Sequence, residues 1–311
     1  MLNEVEKLDE IEKVIEIKNV RKIYRMGNEK IYAVDGVDFE ILRGEFCCLL
    51  GTSGSGKSTL LNLMAGIEKI SGGEIIIKGK RIHKMSENNL AKFRQRYLGF
   101  VFQSYNLMNS MTALENVEFP LIFKRVKPKR RKILAKDMLG KVGLGTRLNH
   151  KPNEMSGGQQ QRVGIARAFV SKPEIVFADE PTGNLDTKTA MEVMNLIKNI
   201  SKENNQTIVM VTHDRRLADY ADKIIHILDG KIQSIEVVNN VNQANVVSAD
   251  NDNLGIAVST QEDSVALDSS GIETELPNVD VKLPIVEDMK VSNEEIQINQ
   301  REKEGRMNEN I

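Results

Sequence analysis

Apolar and polar residues alternate in the first part of the chain in a way that predicts strands with one buried face. The alternation covers residues 14–20 and 37–41, and the second run ends in a turn at Arg43-Gly44. A further strand and hairpin are predicted at residues 72–79, where an apolar stretch lies between glycines. These segments predict an antiparallel β subdomain. Residues 1–14 are charged with apolar residues three apart, which predicts one or two helical turns in an N-terminal extension.

Nearly continuous apolar runs predict a second set of strands, buried on both faces. They lie at residues 44–50, 98–102, 175–178 and 207–211. Helices are predicted at residues 59–65, 86–97 and 187–203. The last of these helices joins two of the runs, which gives a strand–helix–strand crossover as in parallel sheets. Residues 104–170 are mostly helical in pattern, so the chain predicts an α/β core with a mixed or parallel sheet and an inserted helical subdomain.

The composition changes at about residue 236. Residues 236–311 hold 16 acidic and 5 basic residues, which leaves 28 acidic and 38 basic residues in 1–235. The tail has no aromatic residue, and its Val and Ile follow no sustained period. Because such a segment buries too little apolar surface to offset chain entropy, we predict a disordered acidic tail at 236–311. The basic body suits polyphosphate ligands or anionic membranes. No aromatic-interleaved basic patch supports a nucleic-acid partner.

Cysteine use and hydropathy predict a cytosolic chain. The only cysteines, Cys47 and Cys48, are neighbours on a predicted buried strand, where their side chains would point to opposite faces. They are therefore predicted to be reduced and to act as small apolar fillers. The N-terminus lacks a signal-peptide pattern, and no apolar run reaches the roughly 18–20 residues of a membrane span. We expect any membrane role to come through a partner chain.

A glycine-rich loop lies between a predicted strand and a predicted helix. Residues Gly51–Ser58 fit G-x-x-x-x-G-K-[ST] at every fixed position, and we call this segment the phosphate loop. Glycines let successive backbone N–H groups point into one anion-sized nest, and the helix that follows adds a favourable dipole. Lys57 can reach the β- and γ-phosphates, and the Ser58 hydroxyl can ligate Mg²⁺. The loop therefore predicts a bound nucleoside triphosphate with Mg²⁺.

Two further motifs follow along the chain. The apolar run 175–178 ends in Asp179 and Glu180. Asp179 is placed to hold Mg²⁺ and Glu180 to polarise an attacking water, as phosphoryl transfer requires. Residues Ser156-Gly157-Gly158-Gln159, which we call the signature segment, predict a turn into a helix with Ser156 as the N-cap.

These motifs, in this order, resemble those of the nucleotide-binding subunit of an ABC transporter over about residues 15–234. Met155 stands where the family usually has Leu, a substitution of similar volume. The resemblance implies that Gln103 senses Mg²⁺ and faces a membrane partner, and that His213 contacts the γ-phosphate. Tyr24 is implied to stack on adenine, with Tyr32 as the alternative.

The resemblance implies a complete set of site residues and three domain regions. The implied catalytic residues are Lys57, Gln103, Glu180 and His213. The implied nucleotide-binding residues are Tyr24, Gly51, Thr52, Ser53, Gly54, Ser55, Gly56, Lys57, Ser58, Thr59, Ser156, Gly157, Gly158, Gln159 and Asp186. The implied metal ligands are Ser58, Gln103 and Asp179. The regions are the extension 1–14, an ATPase domain 15–235 that contains the helical subdomain 104–170, and the tail 236–311.

In this family two subunits enclose two ATP molecules, each between one subunit's phosphate loop and the other's signature segment. The expected partners are therefore a second copy of this chain and a separate transmembrane permease. The segments around residues 24–28, 102–107, 112–117 and 156–162 resemble the branch containing lipoprotein-release, macrolide-export, cell-division and bacitracin-type resistance ATPases. That branch implies a permease with a large extracytoplasmic domain, and a position on the inner face of the cell membrane. The alternative is a regulatory ABC ATPase that remodels the cell envelope without transport.

Two other classes fit less well. An ABC ATPase of DNA repair or of ribosomes would usually show two cassettes, a long coiled coil or a zinc insertion, and the sequence has none of these. An inactive cassette is disfavoured because Lys57, Glu180 and His213 are all present.

Overall fold

The computed structural model describes residues 12–239 and 243–248 of the 311-residue chain. Its strands are β1 (Lys13–Met26), β2 (Glu29–Leu42), β3 (Phe46–Leu50), β4 (Gly72–Ile77), β5 (Lys80–Arg81), β6 (Leu98–Phe102), β7 (Ile175–Asp179), β8 (Thr207–Thr212), β9 (Lys223–Leu228), β10 (Lys231–Asn239) and β11 (Gln243–Ser248). Its α-helices are α1 (Lys57–Met64), α2 (Glu87–Tyr97), α3 (Ala113–Phe123), α4 (Pro128–Lys141), α5 (Gly157–Phe169), α6 (Thr187–Glu203) and α7 (Arg215–Ala218).

The strands form two sheets. The first is antiparallel in the order β2-β1-β4-β5. The second has the order β11-β10-β9-β3-β8-β7-β6, in which the five strands from β9 to β6 are parallel, whereas β10 is antiparallel to both β9 and β11. The predicted α/β core with a mixed sheet, an antiparallel β subdomain and an inserted helical subdomain is confirmed.

The parallel strands bring three motifs to one edge of the second sheet. The phosphate loop follows β3, Asp179 and Glu180 lie at the end of β7, and His213 follows β8. Since β3, β8 and β7 are neighbours in register, their carboxyl ends meet at the same edge. Ligands of open α/β sheets bind at this edge, so the topology itself assembles the site.

Apolar residues cover both faces of the second sheet. One cluster contains Cys48 and packs residues of α3, α4, α5 and α6 against the sheet. The other contains Cys47 and packs the antiparallel sheet and α1 against it. Both cysteines are fully buried and free. The prediction that their side chains point to opposite faces is confirmed, because each lies in a different cluster.

The predicted boundaries at the two ends of the domain need correction. Strand β1 begins at Lys13, so the last residues of the predicted extension belong to the sheet, while residues 1–11 lie outside the described part. Strand β10 continues to Asn239, past the predicted boundary at 235, and β11 also falls within the predicted tail. Strand β10 was not predicted because its sequence mixes polar and apolar residues. Glu236 is buried there, and its charge is paired with that of Arg215, which lies far away in the sequence. Residues 249–311 lie outside the described part.

Among the described residues, none of the helices has both the length and the apolar content needed to cross a membrane.

Candidate functional site

The phosphate loop lines a cleft of about 850 Å³ at the carboxyl edge of the second sheet. Gly54 and Gly56 have positive φ values of 81° and 96°, and Gly56 caps the N-terminus of α1. A Cβ atom at Gly56 would lie 2.1 Å from the carbonyl oxygen of Ala33, and one at Gly51 would lie 2.1 Å from that of Ile227. These contacts leave room only for glycine, so the backbone of the loop packs directly on neighbouring strands.

Lys57 folds back over the phosphate loop. Its Nζ donates to the carbonyl oxygen of Thr52 at 2.5 Å and to the Ser55 hydroxyl at 3.3 Å. Burial lowers the pKa of Lys57 from its usual value, whereas the negative charges of Glu180 and Asp179 act to raise it. The Lys57 ammonium group and the carboxylates of Glu180 and Asp179 therefore interact electrostatically at the end of the phosphate loop.

The predicted nucleotide-binding residues of the loop share this cleft. Those that line it are Gly51, Thr52, Ser53, Gly54, Gly56, Lys57, Ser58 and Thr59. Ser55 is the exception: it is buried and does not line the cleft. Its carbonyl oxygen accepts a hydrogen bond from the Gly230 N–H at 3.0 Å.

The three predicted metal ligands converge on the same place. The Ser58 hydroxyl donates to Asp179 Oδ1 at 3.1 Å, which joins the start of α1 to the end of β7. Gln103, just after β6, lines the cleft. Its backbone carbonyl accepts from Asn184 Nδ2 at 3.0 Å, and its amide lies 3.5 Å from Asn184 Oδ1. Hydroxyl, carboxylate and amide oxygens are the donors that Mg²⁺ prefers.

Glu180 and His213 form a pair in the same cleft as the phosphate loop. His213 Nδ1 lies 2.9 Å from Glu180 Oε1, and both residues line the cleft. Glu180 has a positive φ of 46°, and its N–H donates to the carbonyl oxygen of Val211 at 3.1 Å. A non-glycine residue in this conformation stores backbone strain, which is common at functional positions. The strand end thus turns the Glu180 carboxylate toward the cleft.

The signature segment lies elsewhere on the chain. Ser156 caps α5, because its hydroxyl accepts from the Gln159 N–H at 3.3 Å while Gln159 Oε1 accepts from the Ser156 N–H at 3.1 Å. Asp186 caps α6 in turn, accepting from the backbone and hydroxyl of Thr189 at 3.0 and 2.6 Å. Neither the signature segment nor Asp186 lines the cleft. The predicted nucleotide-binding residues therefore fall into two separate groups.

Tyr24 and Tyr32 lie on neighbouring antiparallel strands. Tyr24 pairs with Ile31 and Tyr32 with Ile23, so the two rings point to opposite faces of the sheet. The Tyr24 hydroxyl donates to Glu68 at 2.8 Å and also contacts Thr59 of the cleft. Desolvation and the Glu68 hydrogen bond raise the pKa of Tyr24. Neither ring lines the phosphate cleft itself, and Tyr24 is the one of the two that lies beside Thr59, a residue of the cleft.

Arg215 was missed by the sequence analysis, although it also lines the cleft. It stands two residues after His213 and begins α7. Its position two residues after His213 was the available signal. Its partner, Glu236, lies on β10 within the predicted tail and could not be found from the local sequence.

The phosphate loop, the carboxylates after a buried strand and the parallel sheet define a P-loop nucleoside triphosphatase. The model of the family described as ABC transporter matches residues 34–183. An uncharacterised ABC transporter ATP-binding protein of Thermotoga maritima is 49% identical over 218 residues, which span 70% of this chain and 93% of the relative. The chain belongs to the ABC transporter family and is one of its ATP-binding subunits, an ABC ATPase.

Two further relatives place the chain within the family. The lipoprotein-releasing system ATP-binding protein LolD of Pseudoalteromonas translucida is 43% identical over 215 residues, spanning 69% of this chain and 93% of the relative. The ATP-binding cassette MJ0796 of Methanocaldococcus jannaschii has been solved as a dimer bound to ADP and Pi. That structure matches with a TM-score of 0.69 and 43% identity, and the match covers 73% of this chain and 99% of the other.

Proposed function

We propose that two copies of this chain enclose two ATP molecules and that hydrolysis drives a separate membrane permease. The observation that carries the proposal is the separation of the nucleotide-binding residues into two groups. The phosphate cleft contains the loop and Glu180, whereas the signature segment begins a helix outside that cleft. A second copy can supply the missing group, and the relative MJ0796 has been solved as a dimer bound to ADP and Pi.

The signature segment suits contact with a phosphate of the other copy. Helix α5 begins at Gly157 with two glycines, and its N-terminal dipole favours a negative charge. The capping box satisfies the Gln159 N–H within the chain and holds the Ser156 backbone in an extended conformation. ATP would then hold the two copies together, and hydrolysis would release them, which makes the dimer a ligand-driven two-state switch.

The phosphate cleft supplies the groups that phosphoryl transfer needs. The oxygen atoms of Ser58, Asp179 and Gln103 fit a Mg²⁺ ion, which would neutralise charge on the phosphates. Lys57 binds the phosphates as a cation. Glu180 accepts the proton of an attacking water, and His213, hydrogen-bonded to Glu180, holds that carboxylate in place and faces the terminal phosphate.

The permease is expected to be a separate protein with an extracytoplasmic domain. The relative named as an ATP-binding protein of a lipoprotein-releasing system supports a role in export or release at the cell envelope. Through that permease the chain would lie on the inner face of the membrane. A regulatory ABC ATPase that remodels the envelope without transport is the second candidate. Purification of the native membrane complex and identification of its permease discriminate between the two.

Replacing the proposed base tests the composite site. We expect Glu180→Gln to bind ATP, to form a stable ATP-dependent dimer and to lose at least about 100-fold in kcat, because the amide cannot accept the proton. Dimerisation is measured by analytical ultracentrifugation and turnover by phosphate release. Glu174→Gln is the matched control, because Glu174 lies at the opposite end of β7 and pairs with Lys78. It should hydrolyse ATP at the wild-type rate.

A second variant tests the phosphate loop. Lys57→Ala should weaken ATP binding in a fluorescence titration by at least about tenfold, because a cation hydrogen-bonded to phosphate is lost. Unchanged affinity in this variant would contradict the assignment of the loop. A Glu180→Gln protein that stays monomeric at saturating ATP would contradict the shared site.

A further inference from the structure

Arg215 is held beside the nucleotide cleft by a two-point ion pair. Its Nη1 and Nη2 atoms donate to Glu236 Oε2 and Oε1 at 2.7 and 2.8 Å. The Arg215 side chain is half exposed and lines the cleft, whereas Glu236 is only 9% exposed. Bidentate pairs of this kind fix the guanidinium in one orientation as well as attracting it.

Two more side chains complete the cluster. His226 Nε2 lies 3.1 Å from Glu236 Oε2, and Arg215 Nε lies 3.4 Å from Asp219 Oδ1. The hydrogen bonds from Arg215, with a further one from His226, hold the pKa of Glu236 at about 2 against the desolvation of its site. Glu236 is therefore ionised throughout the physiological range and offers Arg215 a full negative charge.

The strand that carries Glu236 also reaches the phosphate loop. Gly230 lies in the turn between β9 and β10, and its N–H donates to the Ser55 carbonyl oxygen at 3.0 Å. The carbonyl oxygen of Ile227, at the end of β9, packs against Gly51. One hairpin therefore contacts the phosphate loop at its turn and Arg215 further along β10. It therefore connects the phosphate loop to Arg215, both of which line the cleft.

His213 needs such support, because its own side chain is poorly held. The imidazole is 64% exposed, and within the described residues its one hydrogen-bond partner is Glu180. Its orientation therefore depends on the backbone of residues 212–215. That backbone is fixed at one end by β8 and at the other by α7, whose first residue is Arg215.

We propose that Arg215 and Glu236 are positioning residues for ATP hydrolysis, which hold His213 against Glu180 through the β9–β10 hairpin. This inference rests on the proposed ATPase mechanism and adds a β10 residue to it. Their role is to set the rate of the chemical step. The phosphate loop, including Lys57, binds the phosphates.

Glu236→Gln tests the inference with little change in shape. The amide keeps the volume but loses the charge and one acceptor, so Arg215 loses its bidentate partner. We expect kcat to fall about tenfold, since small displacements of catalytic groups carry costs of this size. The KM and Kd for ATP should stay within about twofold, because the phosphate loop is unchanged. Glu236→Asp, which restores the charge, should recover part of the lost kcat.

Glu45→Gln is the matched control. Glu45 pairs with Lys223 of β9 at 2.8 Å, both side chains are 11% exposed, and neither residue lines the cleft. Breaking this pair should lower the urea midpoint as much as Glu236→Gln does but leave kcat unchanged. Circular dichroism and ATP binding give the folded fraction, to which every kcat is normalised. Arg215→Lys, which alters the half-exposed partner, provides a second test if Glu236→Gln folds poorly.

The outcomes separate this inference from the proposed function. An equal loss of kcat in Glu45→Gln and Glu236→Gln would show that the Arg215 pair is merely structural. Wild-type rates in Glu236→Gln and Arg215→Lys would also overturn the inference, while the ATPase assignment would stand. Absence of hydrolysis by the wild-type chain with Mg²⁺ and ATP, alone and as a dimer, would overturn the proposed function itself.

Discussion

Gly54 and Gly56 of the phosphate loop both adopt positive φ, yet their surroundings differ. Around Gly54 there is open space, with no atom within 4 Å of the position that a Cβ would take. At Gly56 a Cβ would meet the Ala33 carbonyl oxygen at 2.1 Å. The first position therefore requires glycine only for its backbone conformation. The second also requires it because another strand passes close by.

This difference predicts unequal costs for alanine. Gly54→Ala should lower the free energy of unfolding by about 1–2 kcal/mol, the strain of a left-handed alanine. Gly56→Ala should lower it by roughly 3 kcal/mol or more, because the clash with a backbone atom adds to the strain. Urea denaturation without nucleotide measures both. Equal losses would show that β2 moves away from the loop at little cost.

At the scale of elements, two helices of the inserted subdomain begin with the same capping arrangement. Thr112 caps α3 with Glu115, and Ser156 caps α5 with Gln159. In each, the N-cap hydroxyl oxygen accepts a hydrogen bond from the backbone N–H of the residue three positions later. The side chain of that residue accepts a hydrogen bond from the backbone N–H of the N-cap residue. Only the second lies in the signature segment. The two caps therefore allow a purely structural role to be compared with the proposed role in contact between copies.

Aspartate substitutions at the two N-cap positions test whether the cap of α5 has a role in contact between copies that the cap of α3 lacks. Asp is as good an N-cap as Ser, so Ser156→Asp should keep the stability of the monomer within about 0.5 kcal/mol. Its charge would face the ATP phosphates of the second copy, so the ATP-dependent dimer should weaken by at least about tenfold. Thr112→Asp is the control and should dimerise normally. Ultracentrifugation of both variants in the Glu180→Gln background gives the result; a normal Ser156→Asp dimer would place the signature segment outside the interface.

At the scale of the whole molecule, the end of the second sheet defines where the folded domain stops. Val238 packs against the core, and its N–H donates to the Asp222 carbonyl oxygen at 2.8 Å. Glu236 joins β10 to Arg215. The domain therefore includes the whole of β10, and a boundary at residue 235 cuts through it.

Two truncations test this boundary. A chain that ends at residue 248 should keep wild-type basal ATPase activity and thermal stability, because both sheets are complete. A chain that ends at residue 235 loses the Arg215 pair and the packing of Val238. It should lose roughly 3 kcal/mol of stability and most of its kcat. Urea denaturation and phosphate release measure the two effects. A fully active shorter chain would show that the end of β10 is dispensable.

The sequence by itself determined the elements and motifs that depend on near neighbours. The buried strands β3, β6, β7 and β8 were evident because a short, continuous apolar run bounded by polar residues favours a strand that is covered on both faces. The residues of the phosphate loop are consecutive in the chain, and so are Asp179 and Glu180 after β7. Each motif could therefore be recognised, and its chemistry predicted, from the sequence alone. The opposite orientation of the two cysteines followed from strand geometry alone.

Only the tertiary structure decided which residues meet across the chain. It joined Ser58 to Asp179, placed the signature segment outside the cleft, and separated the faces of Tyr24 and Tyr32. It also moved Glu236 from a predicted acidic tail to a buried pair with Arg215. A charged residue on a strand favours exposure unless an opposite charge reaches it. Here that charge is on Arg215 of α7, 21 residues away, and the pairing of β10 with β9 fixes the strand position from which Glu236 reaches it.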